Sequence, residues 1–376
     1  MFFIKRRNLK LLFSLGAFIA TVFCGILNLS GQTNANKIND IFADSWEFIG
    51  TAVEEPGYTI WGTSPIYGDD GKVHLFVARW PCELNVDPGW RTHSEIAHYV
   101  GDSPEGPFLF SDVAVKGPIE ENQTGNAPCI PGIQKGKRCG FAPSNPAIHK
   151  VDSLYALFYI ANNGIEKHPS NQYICLAVSE SLYGPWEKVG EDGVILKPAQ
   201  NEDYWNYKAT NGVNNPAFIQ HPNGGYFLYF KSEKARMGLA VAENPEGPYV
   251  QLPFPVTAND RNIEDGYAFM YNGKFALLTT DNHGIIEEGG GILWTSEDGI
   301  HFNDFEKGYH RINQYTNVDM KQVAVHYGPQ NREYAKFERP QLLLKNGTPD
   351  YMYVPSGINI YGDDCNVSYV LKFKNE

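Results

Sequence analysis

Four carboxylates, Glu264, Asp265, Asp281 and Glu338, recur at comparable points of a repeated pattern and are the residues best placed for acid–base chemistry. Cleaving an acetal needs one carboxylic acid to protonate the leaving oxygen and one carboxylate to handle water. When water stands between the two groups they lie roughly 6.5–9.5 Å apart. Glu264 and Asp265 are consecutive in NIEDGYAF, and Asp281 closes the next apolar run, FALLTTD. Glu264 and Asp265 are candidates for these two roles, with a turn residue or an ion pair to a nearby Arg as the other reading of Glu264. Asp281 is a second candidate base or an Asx-turn residue. Glu338 and Arg339 (ERPQ) read as a substrate-holding pair or a structural salt bridge. Ser64, Asn145, Asn215, Arg79, Lys231 and His283 would bind hydroxyls, and Trp80 an apolar face.

These residues are brought together only if the repeats around them are structural units. A polar residue, a Pro or Gly, an apolar pair, a turn and an aromatic-rich run appear as TSPIYGDDGKVHLFVARW, SNPAIHKVDSLYALFYIAN and NNPAFIQHPNGGYFLYFKS. EDGYAFMYNGKFALLTTDN and ERPQLLLKNGTPDYMYVPS complete the set. Alternating apolar runs about a Gly or Asn turn predict β-hairpins. A second repeat follows four of them: IAHYVGDSPEGPF, ICLAVSESLYGPW, GLAVAENPEGPY and GILWTSEDGIHF. It predicts a third strand, a tight turn and a fourth strand.

Four strands repeated five times predict an all-β fold, a five-bladed propeller with four-stranded blades; a twisted sandwich is the rival. The fifth unit ends at VSYVLKFK with little chain left, so WEFIGTAV (46–53) is expected to supply its fourth strand. In a propeller, residues before each marker Pro or Gly, and after each second strand, converge on one funnel. That places Ser64, Asn145, Asn215, Glu264, Asp265, Glu338 and Arg339 with Arg79, Trp80, Lys231, Asp281 and His283. Such a mixture of carboxylates, amides, cations and Trp suits a sugar.

The repeated hairpins, the EDG start of blade four and the ERP start of blade five resemble the five-bladed propeller glycosidases. These are glycoside hydrolase family 43 and its relatives, families 32, 62, 68, 117 and 130. The resemblance covers about residues 45–376. It implies a general acid at Glu264, makes Asp265 either the carboxylate that tunes it or the base, and places Ser64 and Asn215 where family 43 carries Asp. It requires no cofactor, and is compatible with a structural Ca²⁺ at the propeller axis. It leaves two readings open: an exo-acting, inverting hydrolase of plant or algal glycans, or a glycan-binding propeller that has lost the chemistry.

Residues 1–32 read as a secretory signal, with a basic MFFIKRRNLK and an apolar run of 19 residues. Cys24 raises a lipoprotein anchor as the alternative. Residues 33–44 read as a linker and 45–376 as the propeller. With formal charge −12, of which the first 32 residues contribute only cations, the chain is a poor partner for nucleic acid or anionic membranes. The expected product is a secreted or periplasmic monomer that meets a carbohydrate. Arg79, Lys231 and Arg339 would reverse the charge locally and favour a sulfated or uronic glycan. Cys129 and Cys139 form the expected disulfide, and Cys175, in an apolar strand, the buried free thiol. The 82–90 and 201–212 connections offer Trp90, Tyr204 and Trp205 as sugar platforms. The run EEGGG (287–291) reads as a mobile lip.

Overall fold

The computed structural model describes residues 40–84, 86–116, 142–162, 172–190, 192–317, 324–325, 336–359 and 366–374. Five antiparallel sheets form the blades of a propeller. Blade one holds Tyr58–Tyr67, Val73–Pro81, Glu95–Gly101 and Leu109–Val115. Blade two holds Ala142–Val151, Leu154–Asn162 and Gln172–Ser179, with two short outer pieces, Glu187–Lys188 and Val194–Leu196. Blade three comprises Asn214–Gln220, Tyr226–Lys231, Met237–Ala242 and Val250–Gln251; blade four Ile263–Tyr271, Lys274–Asp281, Gly291–Ser296 and Asp304–Tyr309.

Blade five is closed by the start of the chain. Gln341–Lys345, Thr348–Pro355 and Ser368–Phe373 are joined by Trp46–Val53, which pairs with the last of them from Trp46↔Phe373 to Val53↔Ser368. This is the strand expected from WEFIGTAV. The residues before it are also packed. Within the stretch expected as linker, Ile41–Asp44 forms a helical turn whose Phe42 and Ala43 are buried. Phe42 meets Trp46 and Phe373 edge-on or tilted, with ring centroids 5.8 and 5.3 Å away, so losing either indole or benzyl group would open a large cavity.

Turn chemistry explains the hairpins. Asn272–Gly273 and Asn346–Gly347 both have left-handed backbone (φ 50° and 77°; 54° and 80°), as the favoured two-residue hairpin requires. Between blades, the strand faces interdigitate as separate apolar clusters. Phe158, Phe218 and Phe230 pack blades two and three; Phe269, Met352 and Tyr369 pack blades four and five. Core burial of this kind, at about 25 cal/mol per Å², drives the sheets together. Strand ends, freed from this duty near the axis, carry the polar residues.

Of the cysteines, Cys175 is free and buried, as expected. Cys82 is disulfide-bonded, to a cysteine outside the described residues. The expected Cys129–Cys139 pair lies outside them too, as do the signal and its Cys24. No helix among the described residues is long and apolar enough to cross a membrane.

Candidate functional site

A left-handed residue stands in or just before the inner strand of every blade, and in blades two, three and four it sits in the same bulge. Opposite Tyr159 of the second strand, blade two inserts an extra residue between the pairs Ser144↔Ile160 and Ala147↔Phe158. Blades three and four repeat this bulge after Asn214 and Glu264. At each, one residue is left-handed: Asn145 (φ 51°), Asn215 (φ 53°) and Asp265 (φ 61°), with Arg339 (φ 47°) before the first strand of blade five. Bulges re-aim side chains. Here they aim two consecutive ones per blade toward the centre.

In blade one the register break falls at Gly62 (φ 51°), between Trp61↔Ala78 and Thr63↔Val77. Ser64 is therefore two residues past the position expected of it. Its hydroxyl accepts the Ile148 amide (3.0 Å) and contacts Gln341 (3.4 Å), stapling blades rather than facing the funnel. Two rings result. Trp61, Ser144, Asn214, Glu264 and Glu338 form the first, and all five line one cavity of about 470 Å³. Gly62, Asn145, Asn215, Asp265 and Arg339 form the second, which floors it.

The floor has a neutral side and a charged side. Asn145 Nδ2 donates to Asn215 Oδ1 (2.7 Å). Arg339, fully buried, reaches across from blade five: Nη2 donates to the carbonyls of Asn145 (2.7 Å) and Pro146 (3.1 Å), and Nη1 lies 3.7 Å from Asp265 Oδ1. Gly62 makes room for it, since a Cβ there would sit 3.0 Å from Arg339 Cδ. Burial, reinforced by the charge of Glu264, pushes the Asp265 carboxyl up to about 6 despite the guanidinium. The same burial lowers Arg339 to about 10. Arg339 brings a cation between blades two and four, and among the described residues no group of three or more His, Cys, Asp or Glu could hold a metal ion.

Above the floor, Glu264 is about one-third exposed and its Oε1 accepts a bond from Lys231 Nζ. Glu338, from the adjacent blade, is buried in the cavity wall. Trp80, Trp90 and Lys231 also line it, whereas Tyr204 and Trp205 do not.

Several expected site residues lie elsewhere. Asp281 is completely buried, and its carboxylate accepts the amides of Ile285, Ile286 and Glu287 (2.7–2.9 Å), so it organises a loop and does not line the cavity where the expectation put it. The loop it organises is not a free lip, because Glu287 also binds His310, Lys307 and Arg311. His283 is exposed away from the cavity, its carbonyl accepting Arg261. Arg79 is sandwiched between the rings of Tyr58 and Phe110 (4.3 Å each) and ion-paired with Glu55 and Glu95. Arg339 belongs to the floor and Lys231 is engaged by Glu264, so the three expected cations do not stand free at the funnel, while Lys234, which was not expected, lines the cavity. Sequence reasoning missed Trp61, whose Gly62 neighbour was the available signal, and the amides Gln172, Asn211 and Asn262 of the cavity wall.

Solved structures share this architecture. Zg3597, a family 117 glycoside hydrolase from the marine bacterium Zobellia galactanivorans, superposes with a TM-score of 0.58 at 16% identity, covering 87% of this chain and 89% of that one. CoXyl43, a family 43 β-xylosidase/α-arabinofuranosidase from a compost microbial metagenome, solved with xylotriose, gives 0.53 at 15% identity, over 86% and 95%. A third, described only as a glycoside hydrolase, gives 0.58 at 12%, over 92% and 96%. The fold is that of the propeller glycosidases. No family model and no curated protein matches this chain. At these identities the likeness extends to the blades, and the chemistry rests on the side chains above.

Proposed function

We propose that this chain is an exported glycoside hydrolase that removes the terminal sugar of a glycan, with Glu264 and Glu338 as its acid–base pair. The observation that carries this is their shared position. Both stand one residue before the left-handed residue of adjacent blades, and both line one cavity. Lys231 donates to Glu264, an arrangement that suits a carboxylate activating water, and the partner role of protonating the leaving oxygen falls to Glu338 in the same cavity. This reverses the role that the family resemblance gives Glu264. Asp265 lies behind them as a third carboxylate whose charge changes near weakly acidic pH. The closed floor favours a chain end over a chain passing through. A separate acid and base acting on water would invert the anomeric centre. Family membership of the fold's relatives, and the glycosidase activities named for them, support the same reading.

The competing reading, a glycan-binding propeller without turnover, draws on Gly62 and Asn215, which leave blades one and three without an acid. A digestion panel of plant and algal oligosaccharides decides between them. Wild type should release a monosaccharide, inverted by proton NMR, and Glu264→Gln and Glu338→Gln should not. With an activated leaving group, Glu338→Gln should recover and Glu264→Gln should not. Binding without release by the wild type across the panel would establish the second reading.

A further inference from the structure

One part of the cavity lining is a single apolar cluster. Trp61, Trp80, Val86 and Trp90 all line the cavity and pack together, with no charged side chain among them. Two of these come from an insertion. After Pro81 the chain makes a single turn, Cys82–Leu84, and a short helix, Val86–Thr92, before blade one resumes at Glu95. Blade three joins the corresponding strands through Ser232–Arg236 alone.

The insertion is held firmly. Trp80 is fully buried, and a Cβ on Gly89 would lie 2.1 Å from its Cδ1, so the helix backbone rests directly on the indole. Leu84 and Val86 complete the cluster with Ala78, and Cys82 anchors the base through its disulfide. Arg91, buried and outside the cavity lining, lies 5.9 Å from the Trp90 ring centre and braces it. Trp80 is thus a support and no platform. Trp90, half-buried and on the cavity wall, is the ring a ligand can reach.

We propose that the blade-one insertion forms a second sugar subsite, in which Trp90 stacks on the apolar face of an uncharged ring next to the ring held at Glu264 and Glu338. An aromatic face recognises the C–H surface of a sugar and offers nothing to a sulfate or carboxylate. Of the two lysines that line the cavity, Lys231 is committed to Glu264, and Lys234, exposed, belongs to the short Ser232–Arg236 connection of blade three. Trp61, on the first ring of side chains, belongs with the sugar at the carboxylates; Trp90 is carried outside that ring. This inference rests on the carbohydrate reading above, so its test reads binding and leaves turnover as a separate measurement.

Wild type, Trp90→Ala and Trp90→Phe are titrated calorimetrically with mono-, di- and trisaccharide ladders of xylose, arabinose and galactose, and with uronic and sulfated counterparts. Affinity should rise about tenfold or more from mono- to disaccharide in the wild type. Trp90→Ala should abolish the rise while leaving monosaccharide affinity unchanged, and Trp90→Phe should keep most of it. The subsite is disproved if Trp90→Ala weakens both lengths equally or neither, if the wild type takes only charged ladders, or if it binds none. Length-dependent binding without sugar release would remove the hydrolase and keep the subsite.

Discussion

Blades three and four begin with the same backbone and opposite chemistry. NNPAF and EDGYA share a bulge and a left-handed second residue, at φ 53° for Asn215 and 61° for Asp265. Asn215 closes a neutral amide bond with Asn145 (2.7 Å), whereas Asp265 faces a buried guanidinium at 3.7 Å and carries a raised pKa. Blade five follows blade four, with Glu338 and Arg339. The left-handed residue therefore recurs in every blade whatever its side chain, while a carboxylate stands just before it only in blades four and five. Inactivating changes should cluster in blades four and five, although every blade lines the cavity.

The largest contrast is in turnover. Glu264→Gln or Glu338→Gln should lower kcat/KM by about 10²–10⁴-fold, the range for a positioned acid or base. Asn214→Ala and Ser144→Ala, at the same ring position in blades three and two, should cost about tenfold or less, as lost hydroxyl contacts. Steady-state kinetics on the released-sugar substrate ranks the four. Equal losses in all would place the chemistry elsewhere.

Next in size is the floor. Arg339→Met removes one partner of a buried pair and should destabilise the protein by about 3–5 kcal/mol in urea unfolding. On the neutral side, Asn145→Ala leaves Asn215 without its amide donor, and should cost about 1–3 kcal/mol. Gly62→Ala should cost about 1–3 kcal/mol as well, since it forces a left-handed alanine. Its Cβ would also lie 3.0 Å from Arg339 Cδ. If Gly62→Ala were neutral, Arg339 would not need the space that glycine leaves, and the two-ring description would fail at blade one.

The fold was legible because hairpin turns, aromatic strands and the closing WEFIGTAV segment follow local rules that repeat five times. The site was legible only where the repeat carries a marker. Pro146, Pro216, Gly266 and Pro340 each follow a left-handed residue, so the repeat marks the backbone positions of Asn145, Asn215, Asp265 and Arg339. Pro65 imitates them from two residues downstream of the bulge, and Ser64 was misplaced by that resemblance. Asp281, Arg79 and His283 sit at strand ends, where sequence position is the same for a side chain turned to the cavity and one turned to a neighbouring loop. The partner decides: three backbone amides for Asp281, and two carboxylates with two rings for Arg79.

The smallest effect is the most diagnostic of the charged half. Asp265 holds its proton to about pH 6 in the folded chain, against an ordinary value of 3.8. Between those values the folded state binds more protons than the unfolded state, so its stability declines as pH rises. The stabilising contribution is complete below about pH 4 and lost as pH passes 6. Asp265→Asn does not titrate, so the wild-type melting temperature relative to this variant should drop from pH 4 to 6 and stay level above. A flat difference would mean that Asp265 ionises freely and that Arg339 outweighs burial. Two further variants fix the cause. Glu264→Gln removes a repelling charge and should shift the declining window to lower pH, while Arg339→Met removes an attracting one and should shift it higher. No such window should appear on the neutral half, where Asn145 and Asn215 hold the same backbone positions without a proton to lose.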